Sequence, residues 1–259
     1  MVKENWRIWD SSKEYGNVFF KRATGILPQM ECSKALAKII STIIQDNDLI
    51  VDVGCGTGHY IPSLDKEILV TYKYLGLDAT KNYINLAKKA FKQKSPHGLR
   101  ISTSFKIGDI YKIKLKEDIS EIVMCNNVLL HLPSIVKPVQ ELWRIAKKYL
   151  IIRTLIGTNS FRIKQINEPE EYTKNGEPLN FHYHNIYSED YLIKLFGSLK
   201  GLVKYEFRED KDFSCKMLNR EVNHYEKKPH NLTSVINGMQ INNYIIQPWK
   251  IAILEKKNN

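Results

Sequence analysis

The chain has 259 residues, of which 43% are hydrophobic, 26% charged and 10% aromatic. This composition is typical of a globular protein, and it excludes disordered, collagen-like and coiled-coil chains. No apolar run approaches the roughly 18 residues that a membrane helix needs. The residues at the start include acid and amide side chains, where a secretory signal needs an apolar stretch. We therefore expect a soluble, cytoplasmic protein without a membrane partner.

The cysteines are widely spaced and form no Cys-x-x-Cys pair; they are Cys32, Cys55, Cys125 and Cys215. This spacing argues against a metal cluster and against a disulfide framework, and it fits a reducing compartment. The sequence therefore predicts no metal site.

The formal net charge is +11 at pH 7, and a strongly basic chain can bind nucleic acid. The sequence contains 31 Lys and 8 Arg, together with 31 Ile and 20 Asn. Lys, Ile and Asn share AT-rich codons, so a genome of low GC content would raise all three together. Nucleic-acid recognition favours Arg for its bidentate hydrogen bonds, and the basic residues here are dispersed. We attribute most of the charge to codon usage, which makes nucleic acid an alternative partner rather than the favoured one.

The predicted elements alternate regularly along the first part of the chain. Residues 1–46 are predicted to be helical, with the clearest apolar periodicity over 33–45. Short apolar runs typical of buried strands follow at 49–53, 73–77, 101–107, 121–125 and 149–155. Helical patterns separate several of them, most clearly at 81–93 and 135–148. Strands that alternate with helices predict βαβ units, and therefore an α/β fold around a parallel sheet.

The alternation becomes looser after residue 155. A helix is predicted from Ser188, its N-cap, to Gly197, and two further strands are predicted at 202–208 and 244–254. Two polar stretches around these elements, 157–187 and 209–243, are too long for simple connections. We interpret them as insertions over an active site. The predicted organisation is a helical lid over 1–46, followed by one domain over 47–259.

The end of the first predicted strand carries the strongest chemical signal. Three glycines at alternate positions follow an acid, in the order Asp52-Val53-Gly54-Cys55-Gly56-Thr57-Gly58. Such glycines permit a tight turn and let a ligand approach the backbone, and ligands of open parallel sheets bind at the carboxyl ends of strands. The spacing differs from the dinucleotide fingerprint G-x-G-x-x-G. Asp52 would repel a phosphate, but it suits a ligand with a cationic amino group or a polar nucleoside.

This segment resembles the first motif of the class I S-adenosylmethionine-dependent methyltransferases, acid-x-G-x-G-x-G, and the resemblance extends over about 49–156. It implies a doubly wound Rossmann-like sheet, mostly parallel with one antiparallel strand near the C-terminus, and helices on both faces. It also implies S-adenosylmethionine as cofactor and S-adenosylhomocysteine as product. The residues that the resemblance places around the cofactor are Asp52, Gly54, Cys55, Gly56, Gly58, Asp78, Ala79, Asp109, Ile110, Asn126 and Asn127.

Two acids of this set match positions with known roles in the family. Asp78 closes the second predicted strand, where the family binds the ribose hydroxyls; it could instead cap the following helix, as could Thr80. Asp109 follows the third predicted strand, where the family's acid contacts the adenine amino group, but it could also be a turn residue.

Tyr15 is a further cofactor-binding candidate, because it lies in a segment that resembles the N-terminal lid of small-molecule members. In such lids an aromatic residue often covers the methionine end of the cofactor, although Tyr15 could instead belong to a helix packed on the sheet. Histidines are the candidates for the acceptor side. His182 and His184 could shape a substrate pocket and supply a general base, or they could lie in a surface loop. His131 is the third candidate base, with structural packing as its favoured alternative.

Motifs of several related methyltransferases are absent, which narrows the choice of reaction and acceptor. The loop after the fourth strand lacks the Asp/Asn-Pro-Pro-aromatic motif of base amino methylation, and the chain has no Pro-Cys pair for carbon-5 methylation of pyrimidines. Asn126 and Asn127 stand where a metal-dependent catechol-type enzyme needs a carboxylate. The favoured prediction is an O- or N-methyltransferase of small molecules that works by in-line displacement. An RNA methyltransferase and a non-catalytic cofactor-binding module are the alternatives.

Overall fold

The computed structural model describes residues 7, 9, 12–92, 101–210, 233–236, 239–242 and 245–257. The helices in this part of the chain are α1 (Lys13–Ala23), α2 (Glu31–Ser41), α3 (Ile61–Glu67), α4 (Lys81–Ala90), α5 (Val136–Ile145) and α6 (Glu189–Gly197). The strands are β1 (Asp48–Val53), β2 (Tyr72–Asp78), β3 (Ile101–Ile107), β4 (Ser120–Asn126), β5 (Ala146–Gly157), β6 (Lys164–Ile166), β7 (Phe181–Tyr183), β8 (Tyr187–Ser188), β9 (Leu202–Glu209), β10 (Thr233–Ile236), β11 (Met239–Asn242) and β12 (Ile245–Lys256).

One large sheet forms the centre of the fold. Strands β3, β2, β1, β4 and β5 lie side by side in this order and are parallel. Strand β12 lies next to β5 and runs antiparallel to both β5 and β9. The strand order reverses between β1 and β4, where open α/β sheets bind their ligands. The structure confirms the predicted doubly wound, mostly parallel sheet with an antiparallel strand near the C-terminus.

Helices cover both faces of the sheet because its central strands are apolar on both sides. Ile50 and Val51 are neighbours in β1, and both are fully buried although they point to opposite faces. The face under Ile50 is packed by α2, α3 and α4, and the face under Val51 is packed by α5 and α6. No helix in the described part of the chain is long and apolar enough to cross a membrane.

The helix predicted after residue 187 is confirmed as α6. The hydroxyl of its N-cap, Ser188, accepts a hydrogen bond from the backbone N–H of Tyr191 at 3.2 Å. This bond satisfies one of the free N–H groups in the first turn, as the serine at this position predicts.

The two stretches interpreted as irregular insertions contain short strands. Strands β6 and β7 form a separate antiparallel pair, β8 pairs with the end of β5, and β10 and β11 form a meander with β12. Strand β6 is exposed along its whole length, so it lacks the apolar alternation by which a strand is predicted. Residues 211–232 of the second stretch lie outside the described residues.

Candidate active site

The glycine loop, residues 54–58, joins β1 to α3 at the reversal of strand order. Gly54, Gly56 and Gly58 have φ angles of 86°, 55° and 78°, a region that other residues rarely adopt. A Cβ atom at Gly54 would lie 2.2 Å from Cγ2 of Val128, and one at Gly58 would lie 2.9 Å from Cε2 of Phe91. Both the backbone conformation and the packing therefore require glycine at these positions.

Asp78 joins the glycine loop to the end of β2. Its Oδ2 atom accepts a hydrogen bond from the Gly56 backbone N–H at 2.9 Å, and its Oδ1 atom accepts one from the Thr80 N–H at 2.8 Å. The N-cap of α4 is Thr80, so Asp78 does not cap this helix. The carboxylate instead lies beside the glycine loop.

The acid of the glycine motif lies beneath the loop in the core. Asp52 is 2% exposed, and its Oδ2 atom accepts a hydrogen bond from the Tyr74 hydroxyl at 2.6 Å. Burial raises the pKa of Asp52 to about 7, although the Tyr74 hydrogen bond acts in the opposite direction and the charge of Asp78 raises it further. Cys55 is also buried, and burial raises the pKa of its thiol. Asp52 therefore titrates near neutral pH, while Cys55 stays protonated.

Two buried polar groups at the strand ends lack hydrogen-bond partners within the described residues. Asn126, the last residue of β4, is 5% exposed, and neither its Oδ1 nor its Nδ2 atom is bonded. The Oγ1 atom of Thr57 in the glycine loop is likewise buried and has no hydrogen-bond partner among the described residues. An unsatisfied buried polar group costs about 1–3 kcal/mol, so these atoms suit a site that holds a polar ligand.

The other predicted cofactor residues lie at neighbouring strand ends. Asn127 has a φ angle of 58°, and its Oδ1 atom accepts a hydrogen bond from Nη1 of Arg153 at 2.6 Å. Asp109 is exposed after β3, and its Oδ1 atom accepts a hydrogen bond from the Tyr111 N–H at 2.9 Å, as a turn residue does. Ile110 beside it is buried, and Ala79 after β2 is exposed.

A continuous series of ring contacts crosses the site, which we call the aromatic cover. The ring of Phe19 in α1 stacks on His59 at 4.2 Å between centroids, and Tyr15 meets Phe19 edge-on at 5.2 Å. Trp9 then meets Tyr15 at 4.8 Å and His131 at 4.8 Å. These contacts connect α1 with His59, directly after the glycine loop, and with the turn after β4.

The three candidate histidines lie together. The ring centroid of His131 is 6.2 Å from that of His182 and 5.9 Å from that of His184, and the last two are 6.5 Å apart. The surface-loop alternative for this segment is wrong, because Phe181 is fully buried and Tyr187 is 2% exposed. Strand β7 pairs with β6 and also contacts the turn that carries His131.

Hydrogen bonds orient two of these rings. The Nδ1 atom of His131 lies 2.8 Å from the carbonyl oxygen of Tyr183, and that of His182 lies 2.8 Å from Oδ1 of Asn167. The Nε2 atom of His184 is buried and has no hydrogen-bond partner within the described residues.

The histidine cluster is uncharged at neutral pH. Burial lowers the pKa of His131 to about 3 and that of His182 to about 4. Burial also lowers the pKa of His184, although a side-chain hydrogen bond with Gln247, which leaves Nε2 unbonded, acts in the opposite direction. A neutral imidazole has one ring nitrogen that accepts a hydrogen bond, so the cluster offers acceptors rather than positive charge.

A buried ion pair beside the site was not predicted from the sequence. Arg153 in β5 is 2% exposed and lies 2.8 Å from the carboxylate of Asp210, while its guanidinium lies 4.1 Å from the ring centre of Trp249. The available signal was one charged residue inside an otherwise apolar strand, because a buried charge needs a partner. The sequence pattern could not indicate that this partner is Asp210.

No three His, Cys, Asp or Glu side chains among the described residues are arranged to hold a metal ion. Cys32, Cys55 and Cys125 are buried free thiols, and Cys215 lies outside the described residues.

A family model described as a methyltransferase domain matches residues 44–211. The chain therefore belongs to this methyltransferase family. The family and the fold together identify it as a class I, Rossmann-like, S-adenosylmethionine-dependent methyltransferase.

Individual relatives are more distant. An uncharacterized methyltransferase of Schizosaccharomyces pombe is 29% identical over 118 residues, which are 45% of this chain and 41% of that protein. The chain thus matches less than half the length of this relative.

Two solved structures illustrate the shared fold. The magnesium protoporphyrin IX methyltransferase of Synechocystis PCC 6803, solved with bound S-adenosylhomocysteine, has a TM-score of 0.56 at 13% identity, over 96% of this chain and 98% of that one. A SAM-dependent methyltransferase of Methanosarcina mazei has a TM-score of 0.55 at 17% identity, over 85% of this chain and 98% of that one.

Proposed function

We propose that the protein transfers a methyl group from S-adenosylmethionine to an oxygen or nitrogen atom of a small molecule by in-line displacement. The observation that carries this proposal is the aromatic cover, in which Phe19, Tyr15 and Trp9 lie between the glycine loop and the histidine cluster. A cover of this kind suits a compact acceptor and keeps water from the reacting atoms. A polymer would need an open surface at the same place.

The residues present fit the cofactor. Asp78 would hold the ribose hydroxyls, and Asp109 with Ile110 would hold the adenine. The glycine loop, with Asp52 beneath it, would face the methionine end together with Cys55, Ala79 and Asn127. The unbonded amide of Asn126 supports this assignment, because a polar ligand would satisfy it.

Positioning is the main task that remains for the protein. S-adenosylmethionine, when bound, supplies a methyl group on a sulfonium, which is already reactive. Holding an acceptor atom in line with this group can contribute roughly 7–11 kcal/mol to lowering the barrier. The uncharged histidines, His131, His182 and His184, would not repel the sulfonium, and a free ring nitrogen of this cluster would accept a hydrogen bond from the acceptor.

Radiolabelled S-adenosylmethionine tests the proposal directly. The protein is incubated with an extract of the source cells that has been separated into small molecules, RNA and protein, and the label in each fraction is counted. We expect label among the small molecules, and a matched reaction with the Asp78→Ala variant should give much less. Label confined to RNA or to protein would overturn the proposal.

The net charge of +11 supports a second candidate, an RNA methyltransferase. Binding of bulk tRNA in a gel-shift assay at about 0.05 M and 0.2 M salt separates the two, because nonspecific phosphate contacts weaken steeply with salt. Binding that survives the higher salt would favour RNA, and loss of binding would favour the small-molecule acceptor.

A further inference from the structure

We propose that the acceptor atom is the oxygen of a hydroxyl group and that Nε2 of His184 receives its proton. This inference rests on the proposed function and names its acceptor class. Within the histidine cluster, the three rings differ in which nitrogen has a hydrogen-bond partner.

His131 and His182 are held in place by their Nδ1 atoms. The partner of His131 is a backbone carbonyl oxygen, which can only accept, so Nδ1 carries the hydrogen and Nε2 is the acceptor. His182 makes the corresponding contact with the Oδ1 atom of Asn167. Their ring centroids lie 5.9 Å (His131) and 6.5 Å (His182) from that of His184. We therefore assign both as positioning residues, which hold the ring of His184 in place.

His184 has the unsatisfied atom of the cluster. Its Nε2 atom is buried without a hydrogen-bond partner in the described part of the chain. A buried acceptor nitrogen of this kind is stabilised when a ligand donates a hydrogen bond to it. A hydroxyl group is such a donor, and it also needs a proton acceptor during methylation.

The proton balance distinguishes oxygen from nitrogen. As the oxygen–carbon bond forms, the carbon–sulfur bond breaks and its electron pair stays on sulfur. The O–H group becomes strongly acidic at this stage, so its proton passes to Nε2 of His184 and later to water, and the product is a methyl ether. A methylated amine would instead be an ammonium with a pKa near that of lysine, about 10. A histidine whose pKa is lowered by burial takes a proton from the reacting O–H group but not from a methylated ammonium.

The chemical form of the product provides one test. Labelled product from the small-molecule extract is heated with hydriodic acid, which releases O-methyl groups as volatile methyl iodide much faster than N-methyl groups. We expect the label in the volatile fraction. Label that stays on nitrogen would overturn this inference and leave the proposed function standing, whereas no labelled small molecule would overturn both.

Substitution of His184 provides the second test. His184→Gln should lower the methyl-transfer rate by about 100-fold or more, as expected for loss of a general base, while S-adenosylmethionine binding in calorimetry changes less than about twofold. Lys194→Gln, an exposed change on α6, is the matched control and should leave both unchanged. A His184→Gln variant with the wild-type rate would overturn the inference.

Nitrogen-15 NMR of the wild-type protein gives a readout that needs neither turnover nor a stable variant. The ring-nitrogen signals report which nitrogen of each histidine carries hydrogen. We expect Nε2 of His184 to be without hydrogen at pH 7. A protonated Nε2 would overturn its role as proton acceptor.

Discussion

Gly54 and Val128 are in such close contact that a Cβ atom at Gly54 would lie 2.2 Å from Cγ2 of Val128. The first residue belongs to the glycine loop after β1, and the second belongs to the loop after β4 that leads to His131. The loop that we propose for the cofactor side and the loop that leads to the proposed acceptor side are therefore packed directly against each other. A change in one loop must displace the other, because a packed interior has little free volume.

Gly54→Ala should destabilise the protein by about 1–3 kcal/mol through overpacking, in addition to the roughly 1–2 kcal/mol of a non-glycine residue in the left-handed region. Gly25→Ala is the matched control, because Gly25 has a φ angle of 76° but no atom within 4 Å of its added Cβ. Urea denaturation of both variants separates the two effects. Equal losses in the two variants would contradict the collision at Gly54.

Asp78→Ala should weaken S-adenosylmethionine binding by about 1–3 kcal/mol, as expected when a charged hydrogen-bond partner is lost. The measurement is titration calorimetry. Because Asp78 also accepts from Gly56 and Thr80, thermal melting of the unliganded variant is measured alongside to reveal any loosening of the loop. Unchanged affinity would refute the ribose assignment.

The affinity for S-adenosylmethionine should rise with pH through neutrality because of Asp52. Burial raises its pKa to about 7, and a cationic ligand above it favours the ionised carboxylate, so binding releases a proton and is tighter at higher pH. Calorimetry in buffers of different ionisation enthalpy measures the proton release between pH 6 and 8. Asp52→Asn should abolish this release, and a release that persists in the variant would assign it to another group.

His59 should make the folded state less stable as pH falls. Burial, with a further contribution from the charge of Arg22, lowers its pKa from 6.5 to about 3. Between these values the unfolded chain binds a proton that the folded chain does not. His59 therefore stabilises the fold fully above pH 6.5, and this contribution falls by up to about 1.4 kcal/mol per pH unit below it.

Urea denaturation of the wild type and of His59→Asn from pH 4.5 to pH 7 isolates this contribution. The comparison is needed because Asp52, whose pKa is raised, contributes the opposite slope between pH 3.8 and about 7. The stability difference between the two proteins should grow with pH until about 6.5. A difference that does not vary with pH would show that His59 keeps its ordinary pKa.

The parallel sheet and the position of the glycine loop could be predicted from sequence because both depend on local patterns. The apolar run at 49–53 is β1, and the alternate glycines after it adopt the positive φ angles that a tight turn needs. The short strands β6 and β7 could not be predicted, since β6 is exposed along its whole length and β7 has only three residues, too few for a reliable alternation. Arg153 was visible as a charge in an apolar strand, but its partner Asp210 is far away in the sequence.

By itself, the sequence determined the fold class, the methyltransferase family and the strand end that carries the glycine loop, since each depends on residues that are close together in the chain. The tertiary structure alone decided that His131, about fifty residues from His182 and His184, meets them beneath Trp9. It also decided that Asp52 is buried and that these histidines are partly buried, which shifts their pKa values. Burial and long-range contact result from how the elements pack, and no local pattern specifies them.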